Sequence, residues 1–354
     1  MAINVTKPSV NLREKLNELE TNKGLKGNEI LQAETAQEVR SLIGAGRKNL
    51  IINGGFDVWQ RGTSHTTHGY GSADRHYVNL SGGVGTFSQQ TFAVAQTDVP
   101  FNPTYYANFN VTTGNDNCGW HYRLENRHLI GNTPSTFSFY AKSNAPRLME
   151  VKFTASDGTS NANAGAQTFT PTASWVKYSF TATLDTTALT ASSATNYTRM
   201  MIDQGVDTST AAWQIDIANV QLELGSVATD FEHRSFGEEL ALCKRYYQKS
   251  FVYSTTPANG ANSSGFSTQA GLVYSQASHN SSNRDYYHFE VEMRTTPSLT
   301  MYGNSSGYWH SPTSNWHVHN KVTNEVSSKG FGFRQQASGG VIPVRGHYAA
   351  SAEL

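Results

Sequence analysis

The first 48 residues carry apolar side chains at helical spacing. Leu12, Leu16 and Leu19 lie at i, i+4 and i+7, which makes one narrow apolar stripe. A second stripe covers residues 30–43 and ends at Gly44. Helices of this length are marginal alone in water, so each stripe needs a partner. We expect a self-associating bundle on a symmetry axis, docking onto another protein, or packing against a later domain of this chain.

From Asn49 onward the apolar period changes to that of strands. Trp213, Ile215 and Ile217 alternate with polar residues, which predicts a half-buried strand. A short apolar run at 49–53 predicts a buried strand that ends at two glycines. Regularly spaced strands without long helices favour a mainly β fold with a jelly-roll-like antiparallel sandwich. The alternating strand spans 213–224, and further strands are predicted at 119–124, 136–141, 148–154 and 175–184.

A short helix interrupts this pattern between Phe236 and Tyr247. Its acidic residues come early and its basic residues come late, which suits the helix dipole. Strand-like runs return after it, so we interpret 235–354 as a second β-domain with a leading helix. The predicted organisation is therefore a helical segment at 1–48, a sandwich at 49–234 and a C-terminal β-domain at 235–354.

Composition narrows the function classes. The 27 basic and 27 acidic residues cancel, so the net charge offers no attraction for nucleic acid or an anionic membrane. Fourteen of these charges fall in the first 48 residues, which supports the boundary there. We expect no membrane insertion, because no run of 18 apolar residues exists, and the start lacks the apolar core of a secretory signal. Cys118 and Cys243 are predicted to be two buried thiols.

Several motifs in this chain resemble those of bacteriophage tail-fibre and adhesion proteins. The run from Asn49 to Gly62, with Ser72-Ala-Asp-Arg75, is similar to the opening of carbohydrate-binding-module-like sandwiches in phage structural proteins. Such fibres often have Trp after Asp-Arg, whereas this chain has His76, which leaves a ligand role at that position open. Residues 217–234 resemble the closing strand of such a sandwich, and residues 238–248 resemble the short helix that follows it. Residues 4–20 resemble a virion-attachment segment of phage fibres.

The resemblance implies a structural protein of the phage particle. We expect a homotrimer that anchors to other virion proteins through its N-terminal segment and presents its far end to host-surface glycans. Assembly would take place in the host cytoplasm, with release by lysis. The alternative is a capsid-decoration protein, head fibre or baseplate spacer that binds no receptor. Both roles need trimerisation and an anchored terminus, so the sequence leaves them open.

Sugar recognition uses flat ring faces beside planar polar groups. Tyr308, Trp309 and Trp316 lie among Gly, Ser, Asn and Pro without a clear period, which predicts loops over 302–319. We expect these three side chains to contact a glycan. The alternative is that they pack locally under the loops. Three tryptophans that lie in strand patterns or motif cores are predicted to be core residues: Trp59, Trp175 and Trp213.

A metal hypothesis rests on His317 and His319. Alternate strand residues point the same way, so both imidazoles could face one ion. Three copies in a trimer would supply six nitrogens for octahedral iron or nickel, and the motif resembles the His-x-His of trimeric phage spikes. The alternative is a polar strand face, and we expect no cofactor.

An enzymatic role, such as a depolymerase, is disfavoured by the sequence. Glycoside cleavage needs two carboxylates roughly 5–10 Å apart, and no spacing singles out such a pair. Asp57, Asp74 and Asp216 are predicted to serve turns and strand edges. The sequence also contains no zinc-protease motif.

Overall fold

A computed structural model describes the chain from Lys48 to Leu354 with several gaps. The chain has two compact units, Met1–Lys48 and Asn49–Leu354. The predicted stripe of Leu12, Leu16 and Leu19 lies outside the described residues. The residues that the structure describes are 48–114, 117–126, 129–191, 196–205, 209–260, 273–277, 284–303, 309–310, 317–318, 322–334 and 342–354.

Two antiparallel sheets form a sandwich in the first part of the second unit. The five-stranded sheet contains, in spatial order, β2 (His76–Asn79), β5 (Gly119–Glu125), β10 (Tyr197–Asp203), β7 (Met149–Ser156) and β8 (Asn161–Phe169). The six-stranded sheet contains β1 (Ser64–His65), β3 (Val84–Thr91), β4 (Tyr105–Thr113), β11 (Trp213–Leu224), β6 (Pro134–Lys142) and β9 (Val176–Thr183).

Aromatic rings fill the space between these two sheets. Trp120 of β5 stacks on Phe137 of β6 at 5.9 Å, and Phe153 of β7 meets Phe180 of β9 at 4.9 Å. Such pairs stabilise the core beyond the apolar area they bury. The mainly β, antiparallel sandwich predicted from the alternation is confirmed.

The central strand β11 is more buried than its alternation predicted. Trp213, Ile215 and Ile217 face the core as expected, but Asp216 on the other face is also only 4% exposed. The half-buried prediction was wrong because β11 lies between β4 and β6 and polar neighbours cover its outer face. Asp216 therefore lies within the sheet and not at a strand edge or turn.

Residues 49–51 are irregular and residues 52–55 form a turn, where a strand was predicted over 49–53. Asn53 has φ +61°, a left-handed conformation that Asn tolerates. Its side chain accepts from the Val58 amide at 2.8 Å and donates to the carbonyls of Val58 and Asp74 at 2.9 and 3.0 Å. These buried bonds replace a strand ladder, so the apolar run packs as a turn.

One α-helix occurs among the described residues, α1 (Phe236–Lys244). The Ser235 hydroxyl caps it by accepting from the Glu238 amide at 3.3 Å. The helix ends three residues earlier than predicted, because Tyr247 opens β12 (Tyr247–Lys249), which pairs with a later strand. No helix in the described part of the chain has the length and apolarity needed to span a membrane.

The C-terminal strands form two further antiparallel sheets around a second, smaller core. Its buried side chains include Phe289, Met293, Phe331 and Tyr348. Strand β20 (Ile342–Ser351) pairs with β12, β13 (Val273–Ala277), β15 (Ser298–Tyr302) and β16 (Trp309–His310), which in turn pairs with β17 (His317–Val318). The other sheet contains β14 (Arg284–His288), β19 (Gly330–Arg334) and β18 (Val322–Ser327).

A buried group of charges joins the end of the chain to the sandwich. We call Arg61, Asp74, Arg75 and Glu353 the C-terminal clamp. Arg61 bridges Asp74 at 3.1 Å and Glu353 at 2.9 Å, and Arg75 pairs with Glu353. Burial raises the pKa of Asp74 to about 6, although the Arg61 guanidinium acts in the opposite direction. Asp74 lies in a turn, as predicted, and is also a buried ion-pair partner.

Candidate functional site

The ligand residues predicted from the sequence fall largely outside the described chain. Tyr308, Trp316 and His319 are not described. Trp309 lies in β16, so its position is a strand and not the predicted loop. His317 lies in β17, which pairs with β16, and a strand is what the metal hypothesis assumed at this position. The glycan and metal hypotheses for these residues therefore stay predictions. Among the described residues, no three His, Cys, Asp or Glu side chains gather as a metal cluster would require.

A row of polar side chains crosses the outer face of the six-stranded sheet. Strand register places Ser88 beside Asn108, Asn108 beside Asp216, and Asp216 beside Lys142. The Asp216 carboxylate accepts from the amides of Asn108 at 2.6 Å and Gln214 at 3.0 Å. The Lys142 ammonium lies 3.7 Å from its other oxygen. The row is therefore held in place by its own hydrogen bonds.

Three aromatic rings lie at the end of this row. Phe92, Tyr106 and Trp175 form a triangle with centroid distances of 4.7, 5.2 and 5.2 Å. All three are half-buried and belong to neither hydrophobic core. The Lys142 ammonium lies 5.7 Å from the Tyr106 centroid and 5.2 Å from the Trp175 centroid, within cation–π range. We call the polar row and these rings the aromatic face.

Charge and ring faces meet at one place on this surface. Burial, and secondly the Asp216 carboxylate, raise the pKa of Tyr106. The phenol therefore stays neutral and can both donate and accept a hydrogen bond. Beside it stand the Asn108 amide, the Asp216 carboxylate and the Lys142 ammonium. Such a set can bind a flat ligand with one apolar face and several hydroxyls.

The sequence interpretation misplaced Trp175. Trp59 and Trp213 are core residues as predicted, at 4% and 1% exposure, but Trp175 lies on the aromatic face. It immediately precedes β9, so strand alternation does not fix its direction. The sequence does contain a signal for Tyr106. Along β4 the apolar residues are Ala107, Phe109 and Val111, so the residues between them, and Tyr106 before them, point to the opposite face.

No family model and no curated protein sequence matches this chain. Similar solved structures include a family 4 carbohydrate-binding module, 19% identical with a TM-score of 0.32, covering 49% of this chain and 98% of that one. Another is the CBM22-1 xylan-binding domain of Paenibacillus barcinonensis Xyn10C, 12% identical with a TM-score of 0.30, covering 47% and 94%.

A third similar structure is the enzymatically active domain of tailspike protein 4 of bacteriophage CBA120. It is 13% identical with a TM-score of 0.31, and the match covers 50% of this chain but 21% of the tailspike. These structural neighbours thus include carbohydrate-binding-module sandwiches and one phage tailspike. At these scores the likeness assigns no function to this chain.

Proposed function

We propose that this protein is a structural fibre of a phage particle that binds host-surface glycans through its β-domains. The aromatic face carries the binding part of the proposal, because partly exposed rings lie beside an ordered row of hydrogen-bonding groups. The motifs at 49–62, 217–234 and 238–248 support the phage part by their resemblance to tail-fibre proteins. In this proposal the helical segment at 1–48 anchors a homotrimer to other virion proteins.

The geometry suggests how a sugar would bind. A pyranose ring would stack on Trp175 or Tyr106, while its hydroxyls exchange hydrogen bonds with Asn108 and Asp216. Since one stacked ring is a small contact, we expect a dissociation constant near millimolar, or about −4 kcal/mol. Three copies in a trimer would raise the avidity by about 10²–10⁴ without a new contact. The proposed role is binding without catalysis and needs no cofactor.

The test is a glycan array probed with the full-length protein, followed by calorimetry on the best ligand. Trp175→Ala should remove most of the affinity and leave the thermal transition of the sandwich almost unchanged, because the ring lies outside both cores. Tyr286→Ala is the matched control, since Tyr286 is 42% exposed and lies in β14, away from the face. Wild-type affinity in the Trp175 variant would contradict a glycan role for this face.

The predicted distal ligands need a separate measurement. Trp316→Ala should reduce the adsorption of whole particles to host cells if residues 302–319 also contact the receptor. If both this variant and Trp175→Ala adsorb at the wild-type rate, a capsid-decoration, head-fibre or baseplate-spacer role becomes the better interpretation. Labelled antibodies on intact particles would then locate the protein on the head or on the tail.

A further inference from the structure

A cleft of about 510 Å³ opens on the other side of strand β4 from the aromatic face. Consecutive strand residues point to opposite faces, so Tyr106 belongs to the aromatic face while Tyr105 lines the cleft. Gln89 of β3 lies in the same wall. Phe236 and Tyr253 form the opposite wall. The volume is within the range typical of small-molecule sites.

The cleft exists because the sandwich core stops before the strands do. Along the inner face of β3, Phe87 is buried in the core, and two residues further on Gln89 takes the same side. On β4, Ala107 is in the core and Tyr105 follows on that side. Larger polar or amphipathic residues thus replace core residues at this end, and space for a ligand remains between the sandwich and the segment after α1.

Hydrogen bonds hold the opposite wall of the cleft in place. The Tyr253 hydroxyl accepts from the Trp59 amide at 2.8 Å and donates to the Asp57 carbonyl at 3.2 Å. The Lys249 ammonium donates to the carbonyls of Gln60 and Tyr253 at 2.6 and 2.7 Å, and to that of Thr255 at 2.7 Å. A ligand would therefore enter a site that is already formed, which lowers the entropic cost of binding.

The charge of the cleft selects the kind of ligand. Among the described residues that line it, Asp57 is the one that is charged at neutral pH. Burial, and secondly the charge of Glu239, raise the pKa of Asp57 to about 6. The carboxylate is thus poorly compensated by the protein, and a cation beside it would restore the balance. Phe236 and Tyr253, 48% and 37% exposed with ring centroids 5.2 Å apart, offer ring surface next to it.

We propose that this cleft is a second binding site, selective for a sugar ring that carries a free primary ammonium group. The ammonium would pair with the Asp57 carboxylate, and the ring would pack against Tyr105, Phe236 and Tyr253. Gln89 is placed to meet the hydroxyls. The site uses different residues from the aromatic face, so the proposal does not depend on glycan binding there.

The test compares glucosamine, glucose and N-acetylglucosamine as probes of the full-length protein by calorimetry. Charge pairing at Asp57 should make glucosamine bind about tenfold more tightly than the two neutral sugars. Asp57→Asn, which keeps the volume and removes the charge, should erase that preference. Equal binding of the three sugars, or an unchanged preference in the variant, would overturn the proposal.

Two further variants keep the test decisive if Asp57→Asn folds poorly. Phe236→Ala changes a residue that is half exposed, so the fold should tolerate it, and it should weaken glucosamine binding several-fold. Tyr286→Ala, in β14 and outside the cleft, should bind glucosamine like the wild type. If Phe236→Ala also binds like the wild type, glucosamine is not bound in this cleft and the assignment is wrong.

Discussion

Acid should destabilise the sandwich through His76. This imidazole is fully buried and stacks on Phe56 at 4.4 Å. Its Nδ1 accepts from the Trp120 indole N–H at 3.0 Å, so Nδ1 carries no proton, and Nε2–H donates to the Asn53 carbonyl at 2.9 Å. Both ring nitrogens are therefore used by the neutral form. A second proton would break the bond from Trp120 and leave a buried charge.

The size of the effect follows from the pKa. Burial lowers the pKa of His76 from 6.5 to about 3, and the hydrogen bond to Asn53 offsets only part of that shift. A histidine whose pKa is lowered on folding stabilises the protein above its unfolded pKa, and this stability is lost as pH falls toward the folded pKa. Between pH 7 and pH 4 the loss is about 3 kcal/mol, a large part of the stability of a typical domain.

Urea unfolding followed by tryptophan fluorescence at pH 7, 6, 5 and 4 would measure this loss. His76→Gln is the matched variant, because its amide can donate to Asn53 and accept from Trp120 but does not titrate. We expect it to be less stable at pH 7, owing to the lost stacking on Phe56, and to lose about 3 kcal/mol less than the wild type on going to pH 4. Other titrating groups cancel in this difference. Identical pH profiles for the two proteins would refute the reasoning.

Three further changes test the packing and the proposed assembly. Glu353→Gln should cost about 3 kcal/mol in urea unfolding because it leaves the two arginines of the C-terminal clamp short of charge, whereas Glu290→Gln, at a surface pair, should cost under about 1 kcal/mol. Asn53→Ala should cost more than Asn53→Gly, because both lose the same hydrogen bonds but glycine tolerates the positive φ; equal costs would contradict this. Leu16→Asp should lower the mass of the protein assembly measured by light scattering without changing the thermal transition of the sandwich. Equal losses in trimer content and in the melting temperature of the sandwich would contradict a separate trimerisation segment.

Five of the eleven sandwich strands were predicted from the sequence, because alternation is a local signal. β5, β6, β7, β9 and β11 all lie within two residues of their predicted bounds. The turn at residues 52–55 could not be predicted in this way. Its conformation depends on bonds from Asn53 to Val58 and Asp74, which local apolar patterning does not report.

The sites were harder to predict for the same reason. The aromatic face combines Phe92, Tyr106 and Trp175, which come from different strands and loops and meet only in the folded sheet. The cleft brings Tyr105 beside Tyr253, nearly 150 positions later in the chain. The sequence shows which residues have suitable chemistry, but their juxtaposition depends on sheet order and register.

The C-terminal clamp also sets an order of events during synthesis. Arg75 and its partner Glu353 are 278 residues apart, so Arg75 is translated long before the acid that neutralises its buried guanidinium. At ribosomal rates of about 5–20 residues per second, this interval lasts roughly 14–56 s. Through that time Arg75 lacks the carboxylate it has in the finished fold. We expect the nascent sandwich to remain loose around Arg75 and to become fully ordered only after residue 353 has left the ribosome.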